Sequence, residues 1–252
     1  MLTPLPVLVL CSALVFSELV TGIENLSLQR KLSIFRSRYG TVVDLVRLAV
    51  AALLALSFAL GSDVLLLVTF LTLGCALLSE TIFDSFGLDA GRHAALFLCL
   101  GLALSIFSLT RPLGYAFLLV NALAMYAWAG IFKLKSPAWR RGDALPNVLA
   151  SRGYGLNRWP PVPRVSVRLY RLLSWALMLL EIGVTVVFVL AVPVLTIAVV
   201  VMLAVFHVMT GVFMGLRRFS HVGLIACGCL LMIHAEYPSL RVLFDQAIEL
   251  LK

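Results

Sequence analysis

The chain predicts an all-α, polytopic integral membrane helix bundle, and three observations carry that prediction. Of its 252 residues, 62% are hydrophobic and only 13% charged, against roughly half apolar and about a quarter charged in a soluble domain. The mean hydropathy is +1.07, so polar groups cannot cover the surface and lipid must act as the solvent. The apolar residues also fall in long runs, each close to the ~20 residues a helix needs to cross hydrocarbon.

Eight runs read as spans, at about 4–23, 42–61, 63–80, 93–110, 113–132, 167–190, 193–216 and 219–233. The first, MLTPLPVLVLCSALVFSELVTGIENL, lacks the basic n-region and small-residue cleavage site of a signal peptide and reads as a retained span. Spans two and three meet at GSD, four and five at TRPLG, six and seven at AVP; such Gly/Pro punctuation marks helix-hairpin turns. Residues 1–233 thus form the transmembrane domain. Residues 234–252, HAEYPSLRVLFDQAIELLK, place Leu and Ile at helical spacing between charges, which predicts an amphipathic tail on the membrane surface. The one long connection, 133–166, contains GYG and RWPPVP, with Trp139 and Trp159 suited to the interface. No internal repeat, phosphate-binding glycine loop or soluble catalytic domain is visible.

The net charge is +8 and the pI about 9.6, but the basic residues are distributed as an orientation signal rather than as a nucleic-acid footprint. Arg30, Lys31, Arg36 and Arg38 follow span one. Arg140, Arg141, Arg152, Arg158 and Arg164 follow span five, and Arg217 and Arg218 follow span seven. The alternate loops hold only Arg111. Eight spans with both termini outside, and loops 24–41, 133–166 and 217–219 cytoplasmic, place all three basic loops on one side, where they also meet anionic headgroups. The partner expected first is the lipid bilayer of the cell membrane, and nucleic acid is not expected. Cys11, Cys75, Cys99, Cys227 and Cys229 lie within apolar runs, which predicts buried thiols and neither a metal site nor a disulfide framework.

Ionisable groups inside spans are costly and are functional candidates. Glu181 lies near the middle of span six and His207 lies in span seven; His93 opens span four and Lys133 closes span five. The eight-span topology brings His93, Lys133 and His207 toward one membrane face, with Glu181 beneath. A lysine, a carboxylate and two imidazoles in an apolar setting suit proton transfer, because desolvation favours the neutral amine that a general base requires. Structural alternatives stand beside this reading. Glu181 pairs with His207 or a backbone amide, His93 faces headgroups, and Lys133 and Lys135 snorkel to anchor a helix end.

At these residues the chain resembles a known family. AGIFKL, followed by Trp139 and GDAL, resembles the segment after the fifth apolar run of the vitamin K-dependent γ-carboxylase-like, or horizontally transferred transmembrane (HTTM), family. The resemblance assigns the family's base lysine, which deprotonates a reduced quinone, to Lys133. FHVMTGVFMGLRRFSHVGL resembles the family's FH span and assigns its histidine to His207; LLEIG assigns an acidic residue to Glu181. RHAALFLCL resembles a segment where the family has Asn-His, assigning His93, with Arg92 in place of the asparagine. The resemblance runs over about residues 5–232 and marks the chain as a small member without the lumenal domain. The animal enzyme works on the lumenal side, whereas the arginine distribution puts Lys133 on the cytoplasmic face. Quinone-linked proteins of the DoxX and MauE type carry a similar G-x-x-K-L near a helix end.

Two functions follow. One is an enzyme using Lys133 near a reduced quinone, in epoxidation or carboxylation-type chemistry on a peptide. The other is an accessory membrane protein for maturation, export or immunity of a secreted peptide, acting with a partner membrane protein, or a DoxX/MauE-like redox protein.

Overall fold

A computed structural model describes residues 3–32, 38–83, 90–150, 166–214 and 216–251. Every regular element among them is an α-helix: α1 (Leu5–Leu32), α2 (Arg38–Ala59), α3 (Asp63–Phe83), α4 (Ala90–Ser105), α5 (Arg111–Lys135), α6 (Pro137–Arg141), α7 (Ala144–Ala150), α8 (Val167–Leu190), α9 (Pro193–Met214), α10 (Arg217–Glu236) and α11 (Leu240–Glu249). Seven of these are long and apolar enough to cross a membrane. The chain is a multi-pass membrane helix bundle. Its outward faces carry side chains such as Leu5 (72% exposed), Val194 (76%) and Leu172 (64%), a surface only lipid accommodates on this scale.

Several boundaries differ from those expected. The helix in place of span four, α4, ends at Ser105 rather than at 110 and has 16 residues, a rise of about 24 Å against ~30 Å of hydrocarbon. The chain turns there because Thr110 Oγ1 donates to Leu104 O at 2.6 Å, ahead of the Arg111-Pro112 start of α5. The loop expected at 24–41 is helical at both ends: α1 runs on to Leu32 and α2 begins at Arg38. Residues 33–37, with Arg36, lie outside the described residues. The long connection opens inside α5 and continues as α6 and α7; residues 151–165, with Arg152, Arg158, Trp159 and Arg164, lie outside the description. Residues 217–219, expected as a loop, already belong to α10, and the amphipathic helix of the tail is α11.

The hairpin turns have local causes. At GSD, Ser62 N donates to Ser57 O at 3.0 Å and Gly61 N to Phe58 O at 3.2 Å, closing α2, while Ser62 Oγ accepts from Leu65 N to open α3. At AVP, Ala191 takes the left-handed conformation (φ 52°) that ends α8, and Pro193 begins α9.

The helices group into two compact units, Met1–Leu119 with Arg241–Lys252, and Val120–Leu240. In the first, α1 packs on α2, α2 on α3, α3 on α4, and α4 back on α1. Its core is built from helical stripes such as Val7, Cys11 and Leu14 on α1 and Leu66, Phe70, Leu73 and Leu77 on α3. In the second, α9 packs between α8 and α10, and the short α6 and α7 lie against α8. The five cysteines are free thiols, all buried except Cys75.

Candidate functional site

In the second unit, α5 and α8 meet closely. A Cβ at Gly130 would lie 2.7 Å from Ile182 Cγ1 and 3.2 Å from Glu181 Cβ, so only glycine permits this approach. Thr185 Oγ1 donates across the same interface to Leu123 O at 3.0 Å. One turn beyond Gly130, Lys133 Nζ reaches both carboxylate oxygens of Glu181, at 2.6 and 2.8 Å. Glu181 belongs to the buried stripe of α8 formed by Ser174, Met178, Glu181, Val184 and Phe188, a spacing of three or four residues that keeps one face inward. Its side chain is 4% exposed and that of Lys133 20%. The ammonium also stands 5.3 Å from the centre of the Trp139 ring, within the range of a cation–π interaction. The pair is thus closed on the Glu181 side and open on the lysine side.

Two turns back along the same face of α5, Tyr126 OH and His207 Nε2 are 2.8 Å apart. His207 is 2% exposed. Its ring lies against Phe206 and Phe219, with centroids 5.2 and 5.0 Å away. On its remaining side is Gly223 of α10, where a Cβ would lie 2.1 Å from Nδ1. The imidazole therefore occupies space that any other residue at 223 would fill. Nδ1 is buried without a hydrogen-bond partner among the described residues. The Tyr126 hydroxyl has the Cys227 thiol as a second polar neighbour.

Lys133 and Glu181 come together, and Glu181 takes Lys133 as its partner rather than His207. His207 pairs with Tyr126 instead, since the α5 face that carries Lys133 also carries Tyr126 two turns earlier. Lys135 is exposed, as a snorkelling residue should be, whereas Lys133 is turned onto a carboxylate. His93 lies near the start of α4 in the first unit, half-buried; the other three candidates belong to the second. Tyr126 and Gly223 were not expected. Their only signals in the sequence are a tyrosine seven residues before Lys133 and a glycine sixteen after His207.

A larger omission lies in the first unit. Arg47 of α2 has no exposed side-chain surface and binds three carboxylates. Nε donates to Glu18 at 3.0 Å, one terminal nitrogen to Asp44 at 2.7 Å and the other to Glu80 at 2.5 Å. Arg92 of α4 donates to the Glu80 backbone oxygen at 3.2 Å, with its Nε 3.5 Å from the Glu80 carboxylate. One guanidinium, with donors fanned in a plane, ties α1, α2 and α3 together, and Arg92 adds α4. Glu18, Asp44, Arg47 and Glu80 all lie within expected spans, so the rule that singled out Glu181 applied to them equally.

Comparison of the chain with protein-family models, curated proteins and solved structures finds no match in any of the three.

Proposed function

We propose that this membrane protein carries a proton-transfer site in its second unit, with Lys133 as the base and Glu181 as the group that positions it and exchanges its proton. The observation that carries this reading is the bidentate Lys133–Glu181 pair, buried at the glutamate side chain and partly exposed at the lysine side chain. A proton moving from Nζ to a Glu181 oxygen converts an ammonium–carboxylate pair into an amine and a carboxylic acid. Both forms are neutral overall, so the exchange creates no net charge in hydrocarbon. The amine then has a lone pair on its open side, where it can accept a proton. The residues there fit a reduced quinone: the Lys133 side chain is partly exposed, and the Trp139 ring beside its ammonium offers a planar aromatic neighbour. Bound there, a reduced quinone would supply an acidic ring hydroxyl and reducing equivalents, in line with the γ-carboxylase-like resemblance and with epoxidation or carboxylation-type chemistry on a peptide. The cell membrane, with the basic loops cytoplasmic, is the setting this reading assigns.

A second reading has its own observation. Glu181 places both oxygens on Lys133, so the pair also serves to hold α5 against α8 in an accessory protein acting with a secreted peptide or partner subunit. Lys133→Arg separates the two. Arginine keeps the charge but cannot give up its proton, its pKa staying above ~12. With Lys135→Arg as control, both variants should insert and melt like the parent, and only Lys133→Arg should lose quinone-linked proton chemistry. Mass spectrometry of the purified parent should find a bound quinone. A fully active Lys133→Arg variant would make this lysine an anchor rather than the base, and a co-purifying peptide with no quinone would favour the accessory role.

A further inference from the structure

Between Lys133 and Glu181 the sequence holds eight Lys or Arg residues and one acid, Asp143. Five of the cations, Lys135, Arg140, Arg141, Arg168 and Arg171, are exposed, and among the described residues none has a carboxylate within ion-pairing distance. The structure collects the arginines on a rigid ledge. Helix α6 ends at Gly142, whose φ of 88° is left-handed and whose missing Cβ would lie 2.6 Å from the Arg171 backbone. Arg171 Nε donates to Arg141 O at 3.1 Å and Trp175 Nε1 to Arg140 O at 3.3 Å. The negative end of α6 is thereby satisfied by α8, leaving the Arg140, Arg141 and Arg168 guanidiniums and the outer nitrogens of Arg171 for another acceptor.

The apolar neighbours decide what that acceptor is. Arg168 and Arg171 alternate with Val167 (61% exposed), Leu169 (43%) and Leu172 (64%), and Trp139 and Trp175 lie beside them. Guanidiniums interleaved with uncovered aliphatic side chains and tryptophans belong at the headgroup level of a bilayer. Along α8, Arg168, Leu172 and Leu179 form one stripe, cation above hydrocarbon, and Leu179 is 63% exposed. A soluble acidic protein would meet the charges and leave that stripe bare; a phospholipid meets both.

We propose that α6 and the first turns of α8 form a binding site for one anionic phospholipid, its phosphate held by Arg140, Arg141, Arg168 and Arg171 and its acyl chains along Leu172 and Leu179. The test is native mass spectrometry of the full chain in detergent, titrated with phosphatidylglycerol or phosphatidylcholine. The parent should retain phosphatidylglycerol in preference on the order of tenfold, and Arg140→Gln with Arg168→Gln should remove that preference. Among the described residues neither side chain makes a hydrogen bond, so the double variant should melt like the parent. If it melts lower, each single variant should show an intermediate preference. Arg241→Gln, an exposed arginine on α11, should leave the preference intact. Equal retention of both lipids, or a preference unchanged in the double variant, would overturn the proposal. So would its abolition by millimolar inorganic phosphate, which would mark a site for free anions.

Discussion

The two units bury charge in different ways. In the first, the Arg47 guanidinium is enclosed by carboxylates from α1, α2 and α3 and has no exposed surface. Each of its three nitrogens has a carboxylate acceptor, and the cluster ties the three helices together. In the second, one ammonium meets one carboxylate, the lysine side chain stays a fifth exposed, and the His207 imidazole keeps one nitrogen unpartnered among the described residues. A group enclosed by partners at each nitrogen is suited to holding helices. A group with one open direction is suited to chemistry, because a reacting molecule needs a place to enter. The difference explains why the larger cluster is not the candidate site.

The sharpest way to break this contrast is Arg47→Met, which leaves three buried carboxylates facing one another. Removing one partner of a buried ionic cluster costs about 3–5 kcal/mol, so the variant should lose most of its folded population in a detergent melt. A parent-like melt would mean that the carboxylates do not depend on the guanidinium. Gly223→Ala comes next. Its Cβ would overlap the His207 ring, and overpacking of this kind costs about 1–3 kcal/mol. Adding His207→Ala should recover much of the loss, whereas additive effects in the double variant would show that the two residues do not share that space. Glu181→Leu should cost on the order of 1 kcal/mol, the usual scale for a cross-helix polar contact in a membrane. Glu181→Gln should keep stability while abolishing proton exchange with Lys133. Smallest of all, Arg241→Gln removes an exposed pair with Asp245 on α11 and should shift stability by no more than about 0.5 kcal/mol.

Much of the fold was legible because hydrocarbon imposes it. Runs of apolar residues near ~20 long have few alternatives to a helix; the GSD and AVP turns fall where α2 and α8 end, and TRPLG falls where α5 begins. Helix ends were less legible. Hydropathy sees the lipid-facing stretch, whereas α1 continues to Leu32, past the continuous apolar run that ends near residue 23. At the site, Lys133, Glu181 and His207 stood out as polar groups among apolar ones. Their pairing did not, because it depends on how α5 turns toward α8 and α9. Tyr126 is an unremarked tyrosine in an apolar run until α9 brings His207 to its hydroxyl. Arg47 failed differently: its signal was present and diluted, since one arginine barely moves the average of the apolar run around it.

The closed ammonium–carboxylate geometry has an electrical consequence. A charge carried across the whole bilayer works against the membrane potential at about 2.3 kcal/mol per 100 mV over ~30 Å of hydrocarbon. A proton passing between Lys133 and Glu181 travels less than their 2.6 Å separation, so it crosses under a tenth of that field. The voltage term on this exchange is at most about 0.2 kcal/mol per 100 mV. Proton exchange within the pair is therefore nearly blind to the energised state of the membrane around it, and only a proton delivered to or withdrawn from the pair over a longer path would sense that state.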